Sequence, residues 1–141
     1  LRGKLALNSS DALVAINDLR AVLKNQPKNT MASYLLALAH DKNKEDLLAE
    51  DVLKNAISMS PADDSAHLNY ATYLASKNKL ADSMAVLDKA LLYFKDSYPL
   101  LDLKLRLEDA NKNEGGVVKV LEKMRNTVPE NSEVYIKNGQ Y

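Results

Sequence analysis

Cysteine and tryptophan are absent from the 141-residue chain, and phenylalanine occurs once. Without cysteine there is no disulfide and no thiolate metal site, whatever the compartment. Glycine and proline are scarce, with 4 of each, and so few backbone breakers favour helices over a turn-rich β architecture. No sign of charge is in surplus, since 19 basic residues balance 19 acidic ones. That balance argues against a general nucleic-acid binder or a polybasic membrane binder, either of which needs excess Lys and Arg. No apolar run approaches the roughly 18 residues of a transmembrane helix. With no signal peptide either, the expectation is a soluble chain, cytoplasmic or periplasmic, without direct membrane insertion. An initiator methionine is also missing, so the sequence reads as a piece of something longer.

What is present is a period. Pro27, Pro61 and Pro129 fall on a lattice with a step of 34 residues, broken by Lys95. The same step aligns Leu19, Leu53, Leu87 and Leu121. Further columns hold Ala15, Ala49, Ser83 and Val117; Val22, Ala56, Ala90 and Met124; and Gly3, Ala37, Ala71, Leu105 and Gly139. A period between 20 and 50 residues is the mark of a repeat architecture.

Each unit reads as two helices. His67, Tyr70, Ala71 and Leu74 form one apolar stripe at helical spacing. After Asn78 a second follows in Leu80, Ser83, Met84, Leu87, Ala90 and Leu91. The joints Asn43-Lys44, Lys77-Asn78-Lys79 and Asn111-Lys112-Asn113 recur at the same step, with Asn the residue expected to take the left-handed backbone. Asn29-Thr30, Asp63-Asp64-Ser65, Ser97 and Asn131-Ser132 offer oxygen caps to helix starts, and Pro99 suits a first turn. Two helices approach closely only over small side chains. Ala37 with Ala49, and Ala71 with Ser83, are therefore expected at the crossing inside each hairpin, and Ala56 and Ala90 between units.

These columns resemble the tetratricopeptide repeat, whose unit carries an aromatic, a large apolar and a small residue on its first helix, then a small residue, a leucine or aromatic, and a final proline. The matching residues are Ser33, Leu36, Ala37, His40, Ala49, Leu53 and Pro61 in one unit. In the next they are His67, Tyr70, Ala71, Leu74, Ser83 and Leu87. The expected division is a partial repeat over 1–29, repeats over 30–63 and 64–97, a degenerate repeat over 98–131, and the start of another over 132–141. In the degenerate unit Lys104, Glu108 and Val117 stand where apolar or small residues are usual, and Gly115-Gly116 weakens the second helix. That hairpin is expected to be looser or splayed, unless the paired glycines serve a tight turn.

The resemblance implies an all-α fold: a right-handed α-α superhelix, or solenoid, of antiparallel hairpins with first helices lining a concave groove. It also implies a non-enzymatic scaffold that binds a peptide, helix or protein segment. The groove-facing positions are Met31, Tyr34, Leu38 and Asp41 in the second unit, Ser65, Leu68, Thr72 and Ala75 in the third, and Asp102, Arg106 and Asp109 in the fourth. Tyr34, Leu38 and Leu68 suit an apolar side chain, and Arg106 is placed to pair a carboxylate. The family's carboxylate-gripping Lys and Asn are replaced here by Tyr34, Leu38, Leu68 and Thr72, so that mode is rejected. Exposed apolar ends would favour self-association of the array.

A search for catalysis finds little. His40 and His67 fall in packing columns and read as core histidines rather than as a base or ligand pair. The adjacent acids Glu45-Asp46, Glu50-Asp51, Asp63-Asp64 and Glu108-Asp109 diverge by about 100° on a helix. Metal-ligand, phosphate-loop and nucleophile-elbow spacings are absent, and no cofactor is expected. Asn8-Ser9-Ser10 matches a glycosylation sequon, a pattern this short usually arising by chance. The leading function is a protein–protein scaffold within a larger assembly, with bacterial envelope or secretion machinery as an analogy. The alternatives are an RNA-binding helical repeat, which would call for a basic groove where only Arg106 is cationic, and an accessory domain of an enzyme. By unit the charge is uneven: residues 1–29 hold 5 basic and 2 acidic side chains, residues 30–63 hold 3 and 6.

Overall fold

The computed structural model describes residues 9–127. The readings placed on Gly3, Pro129, Asn131-Ser132 and the opening of a further repeat over 132–141 lie outside these residues. The described chain is all-α, with seven helices: α1 (Ser9–Asn25), α2 (Thr30–Lys42), α3 (Asp46–Met59), α4 (Asp64–Ser76), α5 (Leu80–Tyr93), α6 (Tyr98–Ala110) and α7 (Glu114–Thr127). It forms two compact units, Leu1–Tyr73 and Leu74–Tyr141.

Two kinds of joint alternate, and hydrogen bonds define both. Between α2 and α3, Glu45 N–H donates to His40 O at 2.8 Å and Lys44 N–H to Asp41 O at 2.9 Å. The same pair recurs as Lys79 to Leu74 with Asn78 to Ala75, and as Asn113 to Glu108 with Lys112 to Asp109. This is the Schellman helix ending, and it needs one left-handed residue. Lys44, Asn78 and Lys112 supply it, with φ of 62°, 60° and 57°. The expectation that Asn would hold this conformation is met only at Asn78. At the other two joints a lysine does so, because the two backbone bonds outweigh the Cβ penalty.

The second kind of joint explains the proline lattice. Asn29 N–H donates to Gln26 O, Asp63 N–H to Ser60 O and Ser97 N–H to Phe94 O, at 3.0–3.1 Å. Pro27, Pro61 and Lys95 therefore share one turn position, the second, where φ near −65° is wanted and no N–H is needed. The last residue of each turn precedes the next helix. Asn29 Oδ1 accepts from Ala32 N–H and Asp63 Oδ1 from Ser65 N–H, both at 2.9 Å. Ser97 makes no side-chain cap bond to α6, which carries Pro99 in its first turn.

In the first unit α2 packs against both α1 and α3. Ala15, Ile16, Leu36 and Ala39 form one core cluster, and Ala37, Ala49, Leu53 and Tyr73 another, with Val52 packed on both. Ala37 and Ala49 are wholly buried at the hairpin crossing, as the small-residue columns predict. A larger side chain there would force the helices apart, at a cost of typically about 1–3 kcal/mol.

In the second unit α6 packs against α5 and α7. Leu87, Leu91, Leu101, Leu105, Val120, Leu121 and Met124 are buried. The α6–α7 hairpin is thus closed despite its two glycines. Gly116 has a geometric reason: a Cβ there would collide with the Glu108 carboxylate and lie 2.8 Å from Asn113 Nδ2. Asn113 in turn caps α7, its Oδ1 accepting from Gly116 N–H at 3.1 Å.

Candidate functional site

The face expected to bind begins on α2 and α4. Two hydrogen bonds hold these first helices together within the first unit. Asn69 Nδ2 donates to Thr30 O at 3.4 Å, near the start of α2. Tyr73 Oη donates to Asp41 Oδ1 at 3.1 Å, near its end. Burial, then the bond to Asp41, then the charges of Asp41, Asp46 and Glu50 push the Tyr73 phenol above its ordinary range. It remains a neutral donor at physiological pH. Tyr70 Oη similarly donates to Glu50 Oε1 at 3.1 Å, tying α4 to α3.

On this frame Met31 projects, 61% exposed. Tyr34 and Leu38 are half-buried and pack on the Ala37–Ala49–Leu53–Tyr73 cluster, and burial raises the Tyr34 phenol pKa. They are therefore partly core, leaving one edge each for a partner. Asp41 is occupied by Tyr73. Leu68 and Thr72 are half-buried, and Thr72 Oγ1 donates to Leu68 O at 2.8 Å along its own helix.

The remaining expected positions belong to the second unit. Ala75 is half-buried and Asp109 exposed. Arg106, 70% exposed, pairs with Asp102 at 3.0 Å, one helical turn away. It already holds a carboxylate, in an exposed pair worth little in water.

His40 is 3% exposed, and its Nδ1–H donates to Glu45 Oε1 at 3.0 Å. Asn43 Nδ2 donates to the same oxygen at 2.9 Å. The bonds from Asn43 and His40, with smaller help from the charges of His40 and Arg20, hold the Glu45 carboxyl below its usual range. His40 is thus a core histidine that braces a joint; His67 is half-buried on α4. Among the described residues no group of three His, Cys, Asp or Glu side chains is placed to hold a metal ion. No described helix is long and apolar enough to cross a membrane.

Sequence reasoning missed Tyr73, which with Asn69 links the two first helices. Its signal was available: Ala39, Tyr73 and Leu107 form another column at the same step, and all are buried.

The family model for the tetratricopeptide repeat matches residues 1–52 and 47–100. No curated protein sequence matches the chain. Tetratricopeptide repeats generally mediate protein–protein interactions and are typically non-catalytic scaffolds. With its hairpins, its 34-residue lattice of joints and matched segments reaching from residue 1 to 100, the chain belongs to the tetratricopeptide repeat family.

Proposed function

We propose that the exposed edge of α2 and α4, formed by Met31, Tyr34, Leu38, Leu68 and Thr72, binds an apolar side chain of a protein segment. The observation carrying this reading is the pair of bonds from Asn69 to Thr30 and from Tyr73 to Asp41. They fix the two first helices side by side, so the strip is formed before a partner arrives and binding pays little to order it. Ala75, Asp102, Arg106 and Asp109 are the corresponding partner-binding positions of the second unit, on a repeat division of 1–29, 30–63, 64–97, 98–131 and 132–141. The engagement of Arg106 with Asp102 favours a protein over RNA as the occupant. The chain then serves as a scaffold segment of a larger assembly.

Alanine at Tyr34 would also remove core packing, so the test uses Met31→Asp with Leu68→Gln. Helical content should persist while partner capture falls to background. Capture at wild-type level by the folded variant would refute the assignment.

A further inference from the structure

Lys104, Glu108 and Gly116, all in the unit that departs most from the family pattern, line a single cavity of about 230 Å3. Its apolar floor is Leu91 of α5, Leu101 of α6 and Val120 of α7, each at most 5% exposed. One repeat step earlier the positions of Lys104 and Glu108 hold Tyr70 and Leu74. Packing side chains have been exchanged for partly exposed charged ones that line a hollow. Lys119 and Lys123, one turn apart on α7, complete the rim.

The charges around the cavity are not balanced. Lys104 Nζ is held by Asp88 at 2.8 Å, and Glu108 is engaged by Asn113 at 3.3 Å. Lys119 and Lys123 make no ion pair among the described residues. Two ammonium groups thus stand over an apolar floor. On α6, at about 100° per residue, Lys104 lies about 140–160° round the helix from Asp102, Arg106 and Asp109. Within the second unit the cavity and those three residues therefore take different faces of α6.

We propose that this cavity is a second docking site, which takes an aliphatic side chain of a partner protein flanked in sequence by Asp or Glu. The side chain enters over Leu91, Leu101 and Val120, and the carboxylate rests on Lys119 and Lys123. Charge complementarity selects the acidic neighbour, and the floor selects the aliphatic group.

The test is an NMR titration of the 15N-labelled chain with acetyl-Glu-Leu-Glu-amide. Saturable shifts are expected at the amides of Leu101, Lys104 and Val120. Lys119→Glu with Lys123→Glu, both at exposed positions, should weaken binding about tenfold or more. Acetyl-Glu-Gly-Glu-amide, which lacks the aliphatic group, should bind at least about fivefold more weakly. Lys104→Tyr with Glu108→Leu restores the residue types of the preceding repeat and should abolish the shifts while the protein stays folded. Unchanged affinity in the charge-reversed variant, shifts at Tyr34 and Leu68 instead, or no saturable shift would overturn the proposal. So would binding of sodium octanoate without binding of the peptide, which would assign the cavity to a free carboxylate amphiphile.

Discussion

The Tyr73 hydroxyl donates to Asp41 at 3.1 Å, joining the first helix of one hairpin to the first helix of the next. Tyr73→Phe keeps the buried ring and removes only this bond. A loss of about 1–2 kcal/mol in urea unfolding is expected. Because the phenol pKa is raised by folding, its stabilisation is complete below the unfolded value near 10.0 and is lost as pH rises through the folded one. Wild type and Tyr73→Phe should therefore converge in stability at strongly alkaline pH, while a constant gap would contradict this.

The joint braced by His40 and Glu45 has the opposite pH dependence. The Glu45 carboxyl is held below its usual range, so its contribution is present above the unfolded carboxyl value and disappears as pH falls through the lowered one. Glu45→Gln should be less stable than wild type at neutral pH and indistinguishable from it in acid. Paired thermal melts across that range check the sign.

Much of this architecture was legible in the residues. The proline step marked the turns, the small-residue columns marked the hairpin crossing, and Ala37 and Ala49 lie there wholly buried. The left-handed residue was harder to place. Asn is the usual occupant, but the Schellman bonds fix a chain position rather than a residue type, so Lys44 and Lys112 adopt φ of 62° and 57°. Arg106 was placed to pair a carboxylate, and Asp102, one turn away on its own helix, already supplies one. The cavity beside Lys104 needed the packing of α5, α6 and α7, which no single helix pattern contains.

Lysine in that conformation retains a cost that glycine would not. Lys44→Gly and Lys112→Gly should each raise stability by a few tenths to about 1 kcal/mol, the relief being offset by glycine's greater unfolded freedom. Asn78→Gly should gain less. Chemical denaturation of the three variants gives the order.

The lattice position left open by Lys95 predicts a further gain. Phe94, with φ of −109° and ψ of 60°, resembles Ser60 before Pro61, with φ of −134° and ψ of 63°. Lys95→Pro is compatible with that backbone and should stabilise by about 0.4–1 kcal/mol through the unfolded state. A lowered melting temperature would show that the turn is built differently.

The two glycines of α7 should separate on substitution. Gly115 has room for a Cβ, with Asn113 Oδ1 at 3.8 Å, so Gly115→Ala should gain up to about 1 kcal/mol in helix propensity. At Gly116 the added methyl meets Glu108 and Asn113, and Gly116→Ala should gain less or nothing. Equal gains would mean that Glu108 moves aside at no cost.

In the proposed function a partner lies along the first helices of the first unit. Site-specific photocrosslinking tests it most directly, with benzoylphenylalanine placed at position 31 or at position 54, both exposed, on α2 and α3 respectively. A defined adduct is expected from position 31, lost in Leu68→Gln, with none from position 54. An adduct from position 54 alone, or one from position 31 that Leu68→Gln leaves unchanged, would contradict it.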